Sequence, residues 1–317
     1  MERTMGADVS KDYLDADTLP NSSKRRFTND AAGIAELVEW ARAFAPERII
    51  FESTGHYQKA AVGALLAASL PAVVVNARQV RDFAKGLGIL AKTDTIDAGV
   101  LARFGQVVPT IVRPLPAPEI QAFQELYDRR GQLVRMLAAE KNHRHACASA
   151  KVIKNIDAHI EYLKKQIRTL EDRMDQFVED SEAFRARNEV LQSIPGVGPQ
   201  VSRTLLAYLP ELGLATRQQI TALVGLAPFN DDSGQQSHVR HIRGGRGKVR
   251  LGLYQAAVVA VRHFPLMKDF YVRLKQKGKA SRVALIAVAR KLLVLANALV
   301  RSLKPYVPAN SVCPKNA

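Results

Sequence analysis

Cysteine is nearly absent from the sequence. Cys147 and Cys313 are its only two cysteines among 317 residues, and they lie far apart along the chain. Two such residues provide neither a disulfide framework nor the paired spacing of a zinc site. The composition therefore excludes a disulfide-stapled secreted scaffold and a cysteine-based zinc domain, and it fits a reducing compartment.

A long uninterrupted apolar segment is also missing. The stretch from Val283 to Leu299 is one of the most apolar, and Arg290 and Lys291 interrupt it. The N-terminus, Met1 to Thr4, lacks the basic-then-apolar pattern of a signal peptide. We therefore expect no membrane partner and a cytoplasmic, nucleoid-associated bacterial protein.

Acidic residues are too few to balance the basic ones. The chain has 30 Asp and Glu against 46 Lys and Arg, which gives a formal net charge of +16. The basic residues occur in clusters, and this favours a polyanionic partner, nucleic acid first, over a merely soluble basic protein. A hydrophobic content of 47% excludes a disordered chain. The length indicates two or three domains.

Residues 1–110 alternate predicted strands and helices. Three short strands are expected between Thr4 and Thr28, and a helix, a strand ending at Glu52, a helix, a strand over residues 72–76 and a helix over 78–87 follow. Antiparallel hairpins followed by right-handed crossovers predict an RNase-H-like α/β domain.

Four carboxylates fall at the ends of these elements. Asp94 and Asp97 lie three residues apart at a predicted helix start, so they share one face. Asp8 lies on the first strand, and Glu52 ends the fourth, which we expect beside the first. Four such carboxylates suit Mg²⁺ ions, so the sequence predicts a magnesium site. The alternative is that Asp94 and Asp97 only favour the helix dipole.

A helical arm is predicted over residues 111–185. A Pro- and Val-rich linker at residues 105–118 leads into two long helical stretches. The second carries an apolar stripe with heptad-like spacing, formed by Leu163, Ile167, Leu170, Met174 and Phe177. Packing within a helical domain and pairing between chains are both open at this point.

Residues 186–305 are predicted to form a mostly helical C-terminal domain, with a loose tail at 306–317. The stretch Ile194-Pro-Gly-Val-Gly198 matches a helix-hairpin-helix element. There Gly196 and Gly198 would let backbone amides approach a phosphate. The alternative is an ordinary helix connection built from Gly and Pro.

A basic, glycine-interrupted strip follows an exposed polar loop at residues 229–236. Such a strip suits the phosphate backbone of a nucleic acid, although it could equally be a solvated charged loop. Its candidate contacts are Arg240, Arg243, Arg246, Lys248 and Arg250. A second basic patch comprises Arg273, Lys275, Lys277, Lys279 and Arg282.

These motifs together resemble a known family. The stretches that carry the resemblance occur in the family's order: Gly6-Ala-Asp8-Val-Ser-Lys11, Glu52-Ser-Thr-Gly-His-Tyr57, Lys92-Thr-Asp94-Thr-Ile-Asp97-Ala98, Ile194-Pro-Gly-Val-Gly198, and Gly225-Leu-Ala-Pro228 followed by Ser233-Gly234. The chain is similar, through about Leu303, to the DEDD-type insertion-sequence transposases. These are relatives of the Piv DNA invertases and are understood as RNA-guided bridge recombinases.

The resemblance implies a fold, a site and partners. It implies a RuvC-like domain, a coiled-coil arm and a C-terminal transposase domain working in a homo-oligomer, a dimer or a tetramer. It implies a noncoding guide (bridge) RNA that pairs with donor and target DNA. It maps a nucleophilic serine onto Ser233 and the four metal-binding acids onto Asp8, Glu52, Asp94 and Asp97. One departure is Gly244-Gly-Arg-Gly247, where many members have a Ser-Lys-Arg-Gly-like stretch.

The implied chemistry is strand exchange through a phosphoserine link. A serine hydroxyl needs activation by a base or a metal, and the neighbours of Ser233 form no clear triad. From the local sequence alone Ser233 could simply make a turn. Two other classes stay open: a metal-dependent RuvC-like nuclease or Holliday junction resolvase that uses water, and a nucleic-acid-binding protein without catalysis.

Overall fold

The computed structural model describes residues 2–53, 55, 57–89, 94–110, 118–229, 232–233, 236–237 and 241–308. The side chains of residues 94–96, 229, 232–233 and 236–237 lie outside this description. The chain divides into two units, Met1–Leu115 and Pro116–Ala317. Each unit has its own hydrophobic core residues.

The first unit is built on a mixed five-stranded sheet of order β3-β2-β1-β4-β5. The first three strands pair antiparallel, while β4 pairs in parallel with β1 and β5 in parallel with β4. The elements are β1 (Thr4–Val9), β2 (Tyr13–Leu19), β3 (Lys24–Thr28), α1 (Ala31–Phe44), β4 (Arg48–Glu52), α2 (Lys59–Ala67), β5 (Ala72–Val75), α3 (Ala77–Gly86) and α4 (Asp94–Val107).

The sheet has helices on both faces because successive side chains of a strand point to opposite sides. Met5 and Ala7 of β1 pack in a core with α1 and α2. Ile50 of β4 packs on the other face, in a core with α3 and α4. Apolar residues on both faces are what a sheet with parallel strands requires. The α/β organisation expected for this part of the chain is confirmed.

One glycine fixes how closely α4 approaches the sheet. A Cβ atom added to Gly6 of β1 would lie 2.1 Å from the carbonyl oxygen of Ala98 in α4. Only glycine leaves room for that contact. The close approach brings the first half of α4 directly onto β1.

The second unit is mostly helical, as expected. Its helices are α5 (Pro118–Ala146), α6 (Ala150–Asp180), α7 (Glu182–Gln192), α8 (Pro199–Tyr208), α9 (Arg217–Val224), α10 (Gly247–His263), α11 (Pro265–Gln276) and α12 (Ser281–Ser302). Four two-residue strands lie between α9 and α10: β6 (Pro228–Phe229), β7 (Asp232–Ser233), β8 (Gln236–Ser237) and β9 (His241–Ile242).

The two longest helices, α5 and α6, pack along each other as a hairpin. The apolar stripe of α6 contributes to this packing, with Leu163 and Met174 buried. Phe123 of α5 and Val178 of α6 belong to the core that the remaining helices share. The stripe therefore packs within the chain, at least in part.

Helix α12 is the most apolar helix of the second unit. By length and composition it is the one helix among the described residues that could cross a membrane. Its side chains at Val288, Leu292 and Ala296 are fully buried against other helices of the unit. A helix at the centre of a folded core meets the same criteria, and α12 packs in that way.

Candidate active site and nucleic-acid surface

Asp8 and Glu52 lie side by side at one edge of the sheet. The parallel register pairs Gly6 with Ile50 and Ala7 with Phe51, so Asp8 and Glu52 are the next residues on the two strands. Gly6 and Ile50 both contact α4, and side chains two residues apart on a strand share a face. Asp8 and Glu52 therefore lie on the α4 face of the sheet.

The first turn of α4 lies toward the same end of the sheet as Asp8 and Glu52. The Thr4 hydroxyl donates a hydrogen bond to the carbonyl of Ala102 (2.9 Å), while Gly6 contacts Ala98 further toward the start of α4. Helix α4 thus runs antiparallel to β1, and its N-terminal turn lies toward Asp8. Asp97 belongs to that turn and is half-buried. Asp94 begins the helix, and its side chain lies outside the described residues.

Carboxylates of this kind suit a hard divalent cation. Oxygen ligands from Asp and Glu are the donors that Mg²⁺ takes in proteins, so the chemistry of the donor set fits the predicted metal. Among the described side chains, however, no group of three His, Cys, Asp or Glu is arranged as a metal site. The magnesium site at Asp8, Glu52, Asp94 and Asp97 stays a prediction.

The structure adds two carboxylates that the sequence analysis missed. Asp15 and Asp17 of β2 face Asp8 and Gly6 of β1 across the antiparallel ladder. They therefore share the α4 face with Asp8. The alternating Asp15-Ala16-Asp17 pattern was the available signal, since it predicts two acids on one face of a strand.

Both added carboxylates already have hydrogen-bond donors. Arg26 of β3 binds Asp15 with two bonds of 2.9 Å, one from Nε and one from a terminal nitrogen. Asp17 is 3% exposed and accepts bonds from the Thr18 amide and the Ser22 hydroxyl, each at 2.8 Å. Hydrogen bonds within the first unit therefore hold both Asp15 and Asp17 in place.

Ser233 lies in a small nested hairpin. Strand β6 pairs with β9, and inside that pairing Ser233 of β7 lies opposite Gln236 of β8. The Ser233 side chain lies outside the described residues, as do Asp231 and His238. His241, eight residues after Ser233, is exposed on β9. The nucleophilic role of Ser233 stays a prediction.

The two glycines of the expected phosphate-binding hairpin differ in surroundings. Gly196 has a positive φ of 96°, and a Cβ there would lie 2.8 Å from the carbonyl oxygen of Ala256 in α10. Gly198 is the N-cap residue of α8 and has open space around its α-carbon. Gly196 therefore serves the packing of α7 and α8 on α10. Phosphate binding by either glycine stays a prediction.

Three residues of the basic strip have partners inside the second unit. Arg246 forms a two-pronged ion pair with Glu211 and donates to the carbonyl of Tyr208 (2.9 Å). Arg250 donates to the carbonyls of Val224 and Gly244. Lys248 is paired with Asp128. Arg243 is exposed, and Arg240 lies outside the described residues. Nucleic-acid contacts from this strip stay predictions.

Tyr208 is the centre of the contacts around Lys248. Its hydroxyl donates to the Asp128 carboxylate and accepts a bond of 2.8 Å from the Lys248 ammonium group. Burial, and then the bond to Asp128, raise the pKa of Tyr208 far above its ordinary value. The tyrosine stays protonated and joins α5, α8 and α10.

Comparison with known proteins agrees with this architecture. Residues 5–151 match a DEDD transposase model of the IS110 type, and residues 188–272 match the model described as "Transposase IS116/IS110/IS902 family". The chain is 28% identical to the pilin gene-inverting proteins of Moraxella lacunata and Moraxella bovis, over 95% of this chain and 97% of each relative. It is 30% identical to an uncharacterized IS116 protein of Streptomyces clavuligerus, over 47% of this chain and 39% of the relative.

The first unit has a sheet with acids at its strand ends, and the second unit is helical and basic. Together with these matches, the two features define a transposase or DNA recombinase enzyme. The chain belongs to the IS110 family of DEDD transposases, to which the pilin gene-inverting proteins are related.

Proposed function

We propose that the protein is a recombinase that moves an insertion sequence by cutting and rejoining DNA strands. In this proposal Ser233 attacks a DNA phosphate, and Asp8, Glu52, Asp94 and Asp97 hold Mg²⁺ beside the reacting group. The observation that carries it is the meeting of Asp8, Glu52 and the first turn of α4 at one sheet edge, within a chain matched to DEDD transposases.

The order of the strands supports the RuvC-like assignment of this unit. Three antiparallel strands followed by two parallel crossovers form the arrangement expected of that class, with acids at the ends of adjacent strands. The α7–turn–α8 segment supports a helix-hairpin-helix assignment. We accordingly propose domains at residues 1–110, 111–185, 186–305 and 306–317.

The carboxylates have a positioning role in this chemistry. Bound Mg²⁺ supplies charge stabilisation for the attacked phosphate and the leaving oxygen. Asp8 and Glu52 contribute from rigid strand ends, and Asp97 from the first turn of a helix packed on β1. Ligands on a sheet and a packed helix are held more firmly than ligands on loops, and such preorganisation favours catalysis.

The serine step conserves the energy of the broken bond. The Ser233 oxygen gives up its proton and forms a bond to phosphorus, the bond between phosphorus and the DNA oxygen breaks, and that oxygen takes a proton and leaves as a hydroxyl. A second strand's hydroxyl then attacks the phosphoserine and releases Ser233. Strand exchange needs this reversibility, whereas hydrolysis by water would lose it.

Partners follow from the same proposal. Donor and target DNA are the substrates, and a noncoding bridge RNA selects them by base pairing. The enzyme acts as a homo-oligomer, in which the acids of one protomer meet Ser233 of another, in the cytoplasm of a bacterium.

Mixing two inactive variants tests the composite site. We expect Asp97→Asn and Ser233→Ala each to bind DNA normally and to lose strand exchange. Ser233→Ala subunits mixed with Asp8→Asn subunits should regain part of the exchange, because some sites then pair intact acids with an intact serine. Full exchange by Asp97→Asn alone would contradict the metal assignment. Adduct formation without complementation would show that both halves of the site come from one chain.

A further inference from the structure

The whole net charge of the protein lies in its last 85 residues. Residues 233–317 contain 17 Lys and Arg and a single acid, Asp269, while residues 1–232 contain 29 of each sign. The positive charges of such a segment repel one another and attract a polyanion. The proposed acids and Ser233 carry none of this positive charge.

The exposed part of this charge is concentrated on α11 and its turn into α12. Six exposed cations lie there, with Asp269 as their only acidic neighbour in sequence: Lys268, Arg273, Lys275, Lys277, Lys279 and Arg282. No ion pair joins any of the six to a carboxylate in the described part of the chain. Their charge is therefore available to an external anion.

The basic strip around Arg246 differs in this respect. Arg246 is paired with Glu211 and Lys248 with Asp128, so acids from the neutral part of the chain already compensate them. By this comparison the α11–α12 surface has more uncompensated charge than the strip, although both are equally basic in sequence.

The backbone of the α11–α12 turn is fixed by hydrogen bonds. The Gly278 amide donates to the carbonyl of Lys275 (2.9 Å), and the Lys279 amide donates to that of Leu274 (3.1 Å). These two bonds, with φ of 75° at Gly278, form the Schellman motif that ends many helices. Lys277 and Lys279 are therefore held on a defined turn beside Arg282, whose own helix has no acid in its first turn.

The shape and chemistry of this surface favour duplex over single-stranded nucleic acid. Single strands need exposed aromatic rings on which bases stack. The ring of Phe270 is half-buried, with the Lys291 ammonium 4.1 Å and the Arg273 guanidinium carbon 5.4 Å from its centroid. A helix of 12 residues such as α11 is about 18 Å long, which corresponds to roughly five base pairs of a duplex.

We propose that the outer face of α11 and the α11–α12 turn bind the phosphate backbone of duplex DNA without reading its sequence. This inference rests on the proposed function for the identity of the anion as DNA. It assigns this binding to residues other than the acids and Ser233, with Lys275, Lys277 and Lys279 at the centre of the surface.

The test measures binding of an arbitrary 25-base-pair duplex in EDTA, between 50 and 200 mM salt, with Lys275, Lys277 and Lys279 all changed to Gln. Each lost phosphate contact on B-DNA reduces the slope of log affinity against log salt by about 0.9, so we expect a slope about 2–3 units shallower. The control changes Lys151, Lys154 and Lys165, exposed on α6, to Gln, which alters the net charge equally.

Three outcomes would overturn the inference: an unchanged slope, an equal loss in both triple variants, or a loss seen with an RNA hairpin and not with the DNA duplex. EDTA separates this test from the proposed chemistry. A shallower slope in the α11–α12 variant, with no strand exchange by the wild type in Mg²⁺, would uphold the surface and reject the recombinase. Strand exchange by the wild type, with an unchanged slope in the α11–α12 variant, would uphold the recombinase and reject the surface.

Discussion

Arg26 pairs with a carboxylate that lies beside the proposed metal ligands. Asp15 lies opposite Asp8 on the same face, and like charges at facing positions of two strands repel. The two hydrogen bonds from Arg26 offset the charge of Asp15 beside Asp8.

We predict that Arg26→Gln lowers the free energy of unfolding by about 0.5–1 kcal/mol, because Arg26 is half exposed and such pairs are weak. The Asp15→Asn change added to it should restore part of the loss, since it removes the repulsion. Urea unfolding of both single variants and the double variant measures this coupling. Strictly additive losses would contradict the repulsion.

A substitution at Gly6 tests how closely α4 packs against the sheet. Gly6→Ala places a methyl group 2.1 Å from the Ala98 carbonyl oxygen, so α4 must move away from β1. We predict a loss of roughly 1–3 kcal/mol, as for other overpacked cores. Gly86→Ala near the end of α3 is the matched control, because its Cβ meets open space, and it should be neutral or stabilising. Equal urea midpoints for the two variants would contradict the contact.

At the scale of elements, Arg246 joins the start of α10 to the end of α8. It is the N-cap residue of α10, and its ion pair with Glu211 and its bond to the Tyr208 carbonyl cross between segments. The basic strip is in this respect partly a structural feature of the second unit.

We predict that Arg246→Ala lowers the free energy of unfolding by about 1.5–3 kcal/mol, because it removes charge-assisted hydrogen bonds. Glu211→Gln should cost less, and the double variant should show coupling in thermal unfolding. Unchanged stability, together with a shallower slope of log DNA affinity against log salt, would mean that Arg246 binds a DNA phosphate rather than Glu211.

The strands and helices also show how much of the fold could be predicted from the sequence. Short apolar strands alternating with helices were enough to predict the α/β sheet and the place of β4 beside β1. The register of the strands is not accessible from sequence, and only the pairing of β1 with β2 places Asp15 and Asp17 on the same face as Asp8. The partners of Arg246 and Lys248 are 35 and 120 residues away, beyond the reach of local patterns.

At the scale of the whole molecule, charge and chemistry are divided along the chain. The acids proposed to hold Mg²⁺ belong to a part with no net charge, and the +16 belongs to the part that begins at Ser233. Long-range attraction of DNA and phosphate chemistry would then depend on different segments. Charge variants of α11 should change the salt dependence of binding, whereas Asp97→Asn should leave it unchanged.

The most direct test of the central claim is a search for DNA joined covalently to the protein. The wild type, incubated with Mg²⁺, guide RNA and labelled donor and target DNA, is trapped in denaturant and digested. Mass spectrometry should then find a nucleotide phosphate on Ser233, and Ser233→Ala should form no adduct while binding DNA and RNA normally. An adduct on Ser237 would keep the mechanism and move the residue. Cleaved DNA without any protein-linked strand would contradict the account and indicate a nuclease that uses water.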